Sequence, residues 1–125
     1  MWRSMFAFHT EDLNLPSINV VHAGQPKMWY GVPPSSGKRL ESLAQSFWPS
    51  EYLECDQFLR HKTKLISPQK LRQNGVPFYR AVQYPGEIMI TWPGCYHGGF
   101  NAGLNVAGMF FFTLNKIYYY YLISQ

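Results

Sequence analysis

Two β-prone runs, one on either side of a turn, constrain this chain more than any other feature. Ser17 to His22 (SINVVH) and Lys27 to Val32 (KMWYGV) are rich in β-branched and aromatic residues. Between them Ala23-Gly24-Gln25-Pro26 is turn chemistry, so the pair predicts two short strands with an abrupt change of direction. Phe78 to Tyr84 and Glu87 to Trp92 repeat the pattern around Pro85-Gly86, and Gly98 to Ala107 resumes strand character. The middle of the chain has a different period. Leu40, Leu43, Ala44 and Phe47 fall at helical spacing between Lys38 and Trp48. A second short helix fits Cys55 to Lys62, with Phe58 and Leu59 inward. A third is bounded by Ser67 as N-cap, Pro68 at the first helical position and Gly75 beyond its end. Short strands around a helical insert at about 37–75 predict a mainly β fold, a jelly-roll or cupin-type double-stranded β-helix.

A chain of 125 residues is one domain at most, and 46% hydrophobic with 18% aromatic residues is ample material for a core. Such a composition excludes a disordered chain. The net charge of +4 resides largely in Lys38, Arg39, Arg60, Lys62, Lys64, Lys70, Arg72 and Arg80. No stacking aromatics interleave with these residues in a nucleic-acid-binding motif, so a solvated basic face is the simpler reading. Cys55 and Cys95 are the only cysteines, and no apolar h-region follows Met1, which favours a reducing intracellular compartment. The apolar run from Val106 to Leu114 is too short to span a bilayer.

The chemistry concentrates in FHTED and CYHGGFN. His9 and Glu11, two residues apart on an extended segment, point to one side and can grip one ion together. His97, far downstream between Pro93-Gly94 and Gly98-Gly99, completes two histidines and a carboxylate. That is the ligand set of a non-haem Fe(II) oxygenase, which leaves one face of the metal open. From spacing alone, a hydrogen-bonded histidine and a solvated carboxylate are the simpler reading of His9 and Glu11. Lys27 beside Trp29 is open in the same way: it either holds the carboxylate of a bound acid or reaches solvent from an edge strand.

The segments FAFHTEDLNLPSINVVHAGQPKMWYGVPPSSGKRLE, FLRHKTKLISPQKLRQNGVPF and PGEIMITWPGCYHGGFNAGLN are longer and more specific. Through them, from about Met1 to Ala107, the chain resembles the catalytic JmjC domain of histone lysine demethylases, most closely the lysine-specific demethylase 4 group. The resemblance implies Fe(II) held by His9, Glu11 and His97. It implies 2-oxoglutarate as co-substrate, paired by Lys27, contacted by Asn19 and flanked by Phe6 and Trp29. It places Lys62 on the methyl-lysine and oxygen side of the site, and Cys55 and His61 as two ligands of a structural Zn(II). The implied reaction is oxidative N-demethylation of a methylated histone tail, that of H3, releasing formaldehyde. The implied setting is chromatin in the nucleus, with no membrane partner.

Relative to that family, the JmjN segment and the upstream JmjC strands are not in this sequence. Residues 1–107 therefore read as a partial JmjC domain. Two zinc ligands of the usual four imply weak or no zinc binding by this chain alone. The resemblance stops after Ala107, where Gly108-Met109-Phe110-Phe111-Phe112 and LNKIYYYYLISQ replace a polar stretch. Gly-Met-Phe can be encoded with an intron-donor sequence inside it, so residues 108–125 read as intron read-through or a truncated isoform. The alternative is a divergent strand, given the β-propensity of Tyr118 to Tyr121. For function, the alternatives to a truncated demethylase are an inactive JmjC-like binding or scaffold module and a JmjC protein hydroxylase.

Overall fold

A computed structural model describes residues 4–113 and 116–124, with side chains through Phe111. Its strands are β1 (Met5–His9), β2 (Ser17–Gly24), β3 (Lys27–Val32), β4 (Tyr79–Gln83), β5 (Ile88–Thr91), β6 (Tyr96–Asn101), β7 (Asn105–Thr113) and β8 (Lys116–Ser124). They form two four-stranded sheets of order β1-β6-β3-β4 and β5-β2-β7-β8, with every pairing antiparallel. The fold is mainly β, a jelly roll of the cupin kind with a helical insert between β3 and β4. The two strands around Ala23-Pro26 fall in opposite sheets, so the turn between them is a corner. Gly24 takes φ +95° there, and a Cβ would lie 2.3 Å from the Leu104 carbonyl oxygen, so only glycine passes.

Alternation along the strands sorts side chains between a cavity and a core. On β3, Lys27 and Trp29 face the cavity between the sheets, while Tyr30 and Val32 pack beneath the insert. On β2 the inward set is Ser17, Asn19 and Val21, all buried, and Asn19 lines the cavity. β1 breaks the rule. Phe6 and His9 both line the cavity, but Phe8 belongs to the core. A register shift against β6 between Phe6 and His9 makes this possible: the irregularity advances the strand by one residue and turns His9 inward.

The insert comprises α1 (Gly37–Phe47), α2 (Pro49–Glu54), a 3₁₀ turn (Phe58–His61) and α3 (Pro68–Gln73). Leu40, Leu43 and Ala44 of α1, Phe58 and Leu59 of the 3₁₀ turn, and Leu71 of α3 meet Phe8 and Val32 in one apolar cluster. This core lies on the outer face of the sheet that bears the two histidines. The Tyr96 hydroxyl, one residue before His97, adds a tie to the insert by donating to Glu41 Oε1 at 2.9 Å. For α3 the cap is as expected, with Ser67 Oγ accepting the Lys70 N–H at 3.3 Å.

Two sequence expectations are corrected. Cys55 to Lys62 is not one helix. Pro49 starts α2 earlier, the extended Cys55 (φ −155°) ends it, and the 3₁₀ turn stops at Lys62 in the left-handed region (φ +57°). Gly98 to Ala107 is not one strand either, because Ala102 to Leu104 bend the chain from β6 to β7. The stretch 108–125 lies partly outside the described residues; within them, β7 crosses Ala107-Gly108 unbroken, paired to β2 as far as Phe111. No helix among the described residues is long and apolar enough to cross a membrane.

Candidate active site

His9 ends β1, and its ladder partner on β6 is His97. Their rings lie 4.5 Å apart, centroid to centroid. Each ring is anchored by its own main chain: His9 Nδ1 lies 2.7 Å from the Ala7 carbonyl, and His97 Nδ1 lies 3.0 Å from that of Cys95. An Nδ1–H donated to a carbonyl leaves Nε2 as the nitrogen with a free lone pair. Burial, and then the neighbouring His97, push His9 down to about 4, so its imidazole is neutral at neutral pH.

Glu11 lies just past the end of β1, where it precedes a short 3₁₀ turn rather than pairing in a ladder. Its backbone is nonetheless extended (φ −68°, ψ 153°), which keeps it on the same side as His9. The turn after it carries positive φ at Leu13 and Asn14 (54° and 55°). Asn14 Oδ1 accepts the Gly94 N–H at 2.5 Å, tying the Glu11 segment to the turn before His97. Burial pushes the Glu11 carboxyl upward, but the contact with the His97 ring and the hydrogen bond from Ser17 outweigh it and hold the group down at about 2.

The donor set fits a cation. Ligand atoms of His9, Glu11 and His97 all lie within 4.8 Å of one another, and among the described residues no other group of three or more His, Cys, Asp or Glu does so. Glu11 Oε2 is buried without a hydrogen-bond partner. Glu11 Oε1 lies 3.3 Å from His97 Nε2. With His97 Nδ1–H committed to a carbonyl, these two atoms are both acceptors, and only a proton or a metal ion reconciles them.

A cavity of about 310 Å³ opens beside the triad, between the sheets. It brings together His9, His97, Phe6, Asn19, Lys27, Trp29 and Lys62. Lys27 is on an interior strand and only 9% exposed, so the edge-strand reading of this lysine is excluded. Burial pushes its amine down to about 8. Its Nζ donates to Asn101 Oδ1 at 2.7 Å and lies 5.0 Å from the Phe6 ring centroid. Asn19 Oδ1 is buried without a partner. Trp29 packs edge-on against Phe6, with centroids 5.1 Å apart, and its Nε1–H donates to Gln83 Oε1 at 2.8 Å. Lys62 lies at the rim on its left-handed residue. Cys55 and His61 lie apart from this cavity in the insert, Cys55 half-buried and His61 exposed.

Sequence reasoning missed Asn101, Gln83, Ser17 and Thr91. Asn101 and Gln83 are the ladder partners of Lys27 on β6 and β4, so knowledge of strand pairing would have found both. No local pattern marks the other two.

Residues 1–112 match the family described as JmjC domain, hydroxylase, and the chain belongs to that family. Over 107 residues (86% of this chain) it is 55% identical to lysine-specific demethylase 4D of Rattus norvegicus, covering 21% of that protein. It is 56% identical to lysine-specific demethylase 4B of Mus musculus (10% of that protein) and 54% identical to probable lysine-specific demethylase 4F of Homo sapiens (17%), each over 107 residues. The chain thus spans between a tenth and about a fifth of the length of these curated relatives.

Proposed function

We propose that this chain carries the catalytic centre of an Fe(II)- and 2-oxoglutarate-dependent histone lysine demethylase. The observation that carries the reading is the cavity itself. A buried His-Glu-His set with an unpartnered carboxylate oxygen adjoins a space holding a buried lysine and an unpartnered buried amide oxygen. The first suits a divalent metal, and the lysine ammonium suits a carboxylate of a small dicarboxylate, which the Asn19 amide can meet only through its Nδ2–H.

His9, Glu11 and His97 would hold Fe(II), the histidines through Nε2. With 2-oxoglutarate and O₂, Fe(II) bound there would supply the oxidant for hydroxylating an N-methyl group, with succinate and CO₂ as co-products. The hydroxymethyl amine then breaks its C–N bond, giving formaldehyde and the amine with one methyl fewer. Lys27 pairs with the distal carboxylate of the co-substrate, and Asn19 contacts it. Phe6 and Trp29 wall the pocket and exclude water, which strengthens the Lys27 contact. Lys62 stands at the rim towards the incoming methyl-lysine. The substrate is a methylated tail of histone H3, met on chromatin in the nucleus. Cys55 and His61 contribute to a structural zinc site only in a longer chain that supplies further ligands.

The test is a trimethyl-lysine H3 peptide incubated with the chain, Fe(II), 2-oxoglutarate and O₂. Formaldehyde release with loss of a methyl group is the expected result. A stable gain of one oxygen would make the protein a hydroxylase, and metal binding without turnover would make it an inactive module.

A further inference from the structure

We infer that Ser17 and Thr91 are positioning residues for the Glu11 carboxylate, a buried hydroxyl pair that orients it toward the cation of the triad. The inference rests on the metal-binding reading above. Ser17 on β2 and Thr91 on β5 are direct ladder partners, 1% and 5% exposed. Ser17 Oγ lies 2.6 Å from Glu11 Oε1 and 2.6 Å from Thr91 Oγ1, whereas Thr91 Oγ1 is 3.4 Å from Glu11 Oε1.

A hydroxyl has one proton to donate. A carboxylate can only accept, so Ser17 directs its proton to Glu11. Thr91 must then be the donor in the short Ser17–Thr91 contact. The hydrogen bonds run one way, from Thr91 to Ser17 to Glu11, and each polarises the next. The site needs such a device at this position. Both histidines have a ring nitrogen fixed by a carbonyl two residues upstream. Glu11 is off the ladder, ahead of a turn with positive φ, and its side chain has more torsions than an imidazole. The hydroxyl pair does for Glu11 what the carbonyls do for the histidines, and it does so from the opposite sheet. It engages Oε1 and leaves Oε2 without a donor.

Co(II) titration of the full chain, followed by visible absorption, tests this. Ser17→Ala is expected to weaken Co(II) binding about 10- to 100-fold, the range for loss of a partner that orients a metal ligand. Thr91→Val should weaken it less, and Thr91→Ser should restore it. Because Thr91 acts through Ser17, the double variant should lose no more than Ser17→Ala alone. Wild-type affinity in both single variants would overturn the inference. So would additive losses that Thr91→Ser does not recover, the mark of a pair that merely packs. If Ser17→Ala fails to fold, judged by circular dichroism in chelator, the Thr91→Val and Thr91→Ser pair decides alone. If the wild-type chain binds no Co(II), the metal reading falls and this inference falls with it.

Discussion

His9 and His97 face each other across the β1–β6 ladder, each with Nδ1 tied to a carbonyl, and His97 Nε2 lies 3.3 Å from Glu11 Oε1. A metal held by the triad would therefore join two strands and the turn after one of them, so it should stabilise the fold. At a hundredfold excess over Kd, one bound ion adds about 2.7 kcal/mol. Chelation should lower the melting temperature of the wild type by several degrees. His97→Ala should melt at one temperature with or without metal. A chelator effect that persists in His97→Ala would place the ion elsewhere.

Lys27 offers a pH signature. Its ordinary value of 10.5 falls to about 8 through burial, which is worth about 3 kcal/mol. Below pH 8 the folded chain bears the cost of a buried ammonium. Between pH 8 and 10.5 the unfolded chain holds the extra proton, so this residue's contribution to stability rises with pH across that window. A bound dicarboxylate should reverse the shift. In NMR of the Lys27 side chain, the titration midpoint is expected near 8 alone and higher with 2-oxoglutarate. Affinity for 2-oxoglutarate should fall as pH rises past 8. A midpoint unmoved by 2-oxoglutarate would remove Lys27 from the co-substrate site.

Gly99 is a steric gate on β6. A Cβ there would lie 1.9 Å from the Met28 carbonyl oxygen and 2.9 Å from Phe6 Cζ. Gly99→Ala must push β3 away or displace a cavity wall, and overpacking of this kind costs about 1–3 kcal/mol. Denaturant unfolding should show that loss, together with weakened 2-oxoglutarate binding through Phe6. Gly75→Ala would touch nothing within 4 Å and is strained only by its backbone (φ +67°), so it should leave 2-oxoglutarate binding unchanged.

Strands β4 and β5 are sheet edges, and Tyr79, Ile88, Ile90 and Trp92 on or beside them are 73%, 63%, 46% and 66% exposed. An apolar edge of this kind recruits other chains. Dye-binding and light-scattering assays should show self-association of the isolated chain. Ile90→Lys with Trp92→Lys should suppress it without altering Co(II) affinity. A wild-type chain that stays monomeric at high concentration would contradict this.

The stretch 108–125 has a test at the level of RNA. Under the read-through reading of 108–125, a native transcript would splice after the Ala107 codon. A transcript running unbroken into the Tyr118–Tyr121 codons would make this stretch an authentic part of the protein.

Most of the scaffold was legible because it is local. β3 runs from Lys27 to Val32 as expected, and Ser67-Pro68 starts α3 because cap and first turn lie within four residues of sequence. The insert was misread where punctuation competed, since Pro49 begins a helix that the pattern around Phe58 and Leu59 obscured. The candidate ligands and the cavity-lining residues were visible as residue types. Their support was not. Perfect alternation would have placed Phe6 and Phe8 on one face, and nothing in MFAFH announces the irregularity that separates them. Ser17 and Thr91 are 74 positions apart, a separation that only sheet pairing closes.

The carbonyl anchors of the two imidazoles have an evolutionary meaning. Each histidine borrows its orientation from a peptide group two positions upstream, and every amino acid has such a group. Mutation at Ala7 or Cys95 changes a side chain but leaves that anchor in place. The aim of both imidazoles is thus inherited with the backbone path, so the side chains two positions upstream do not set it.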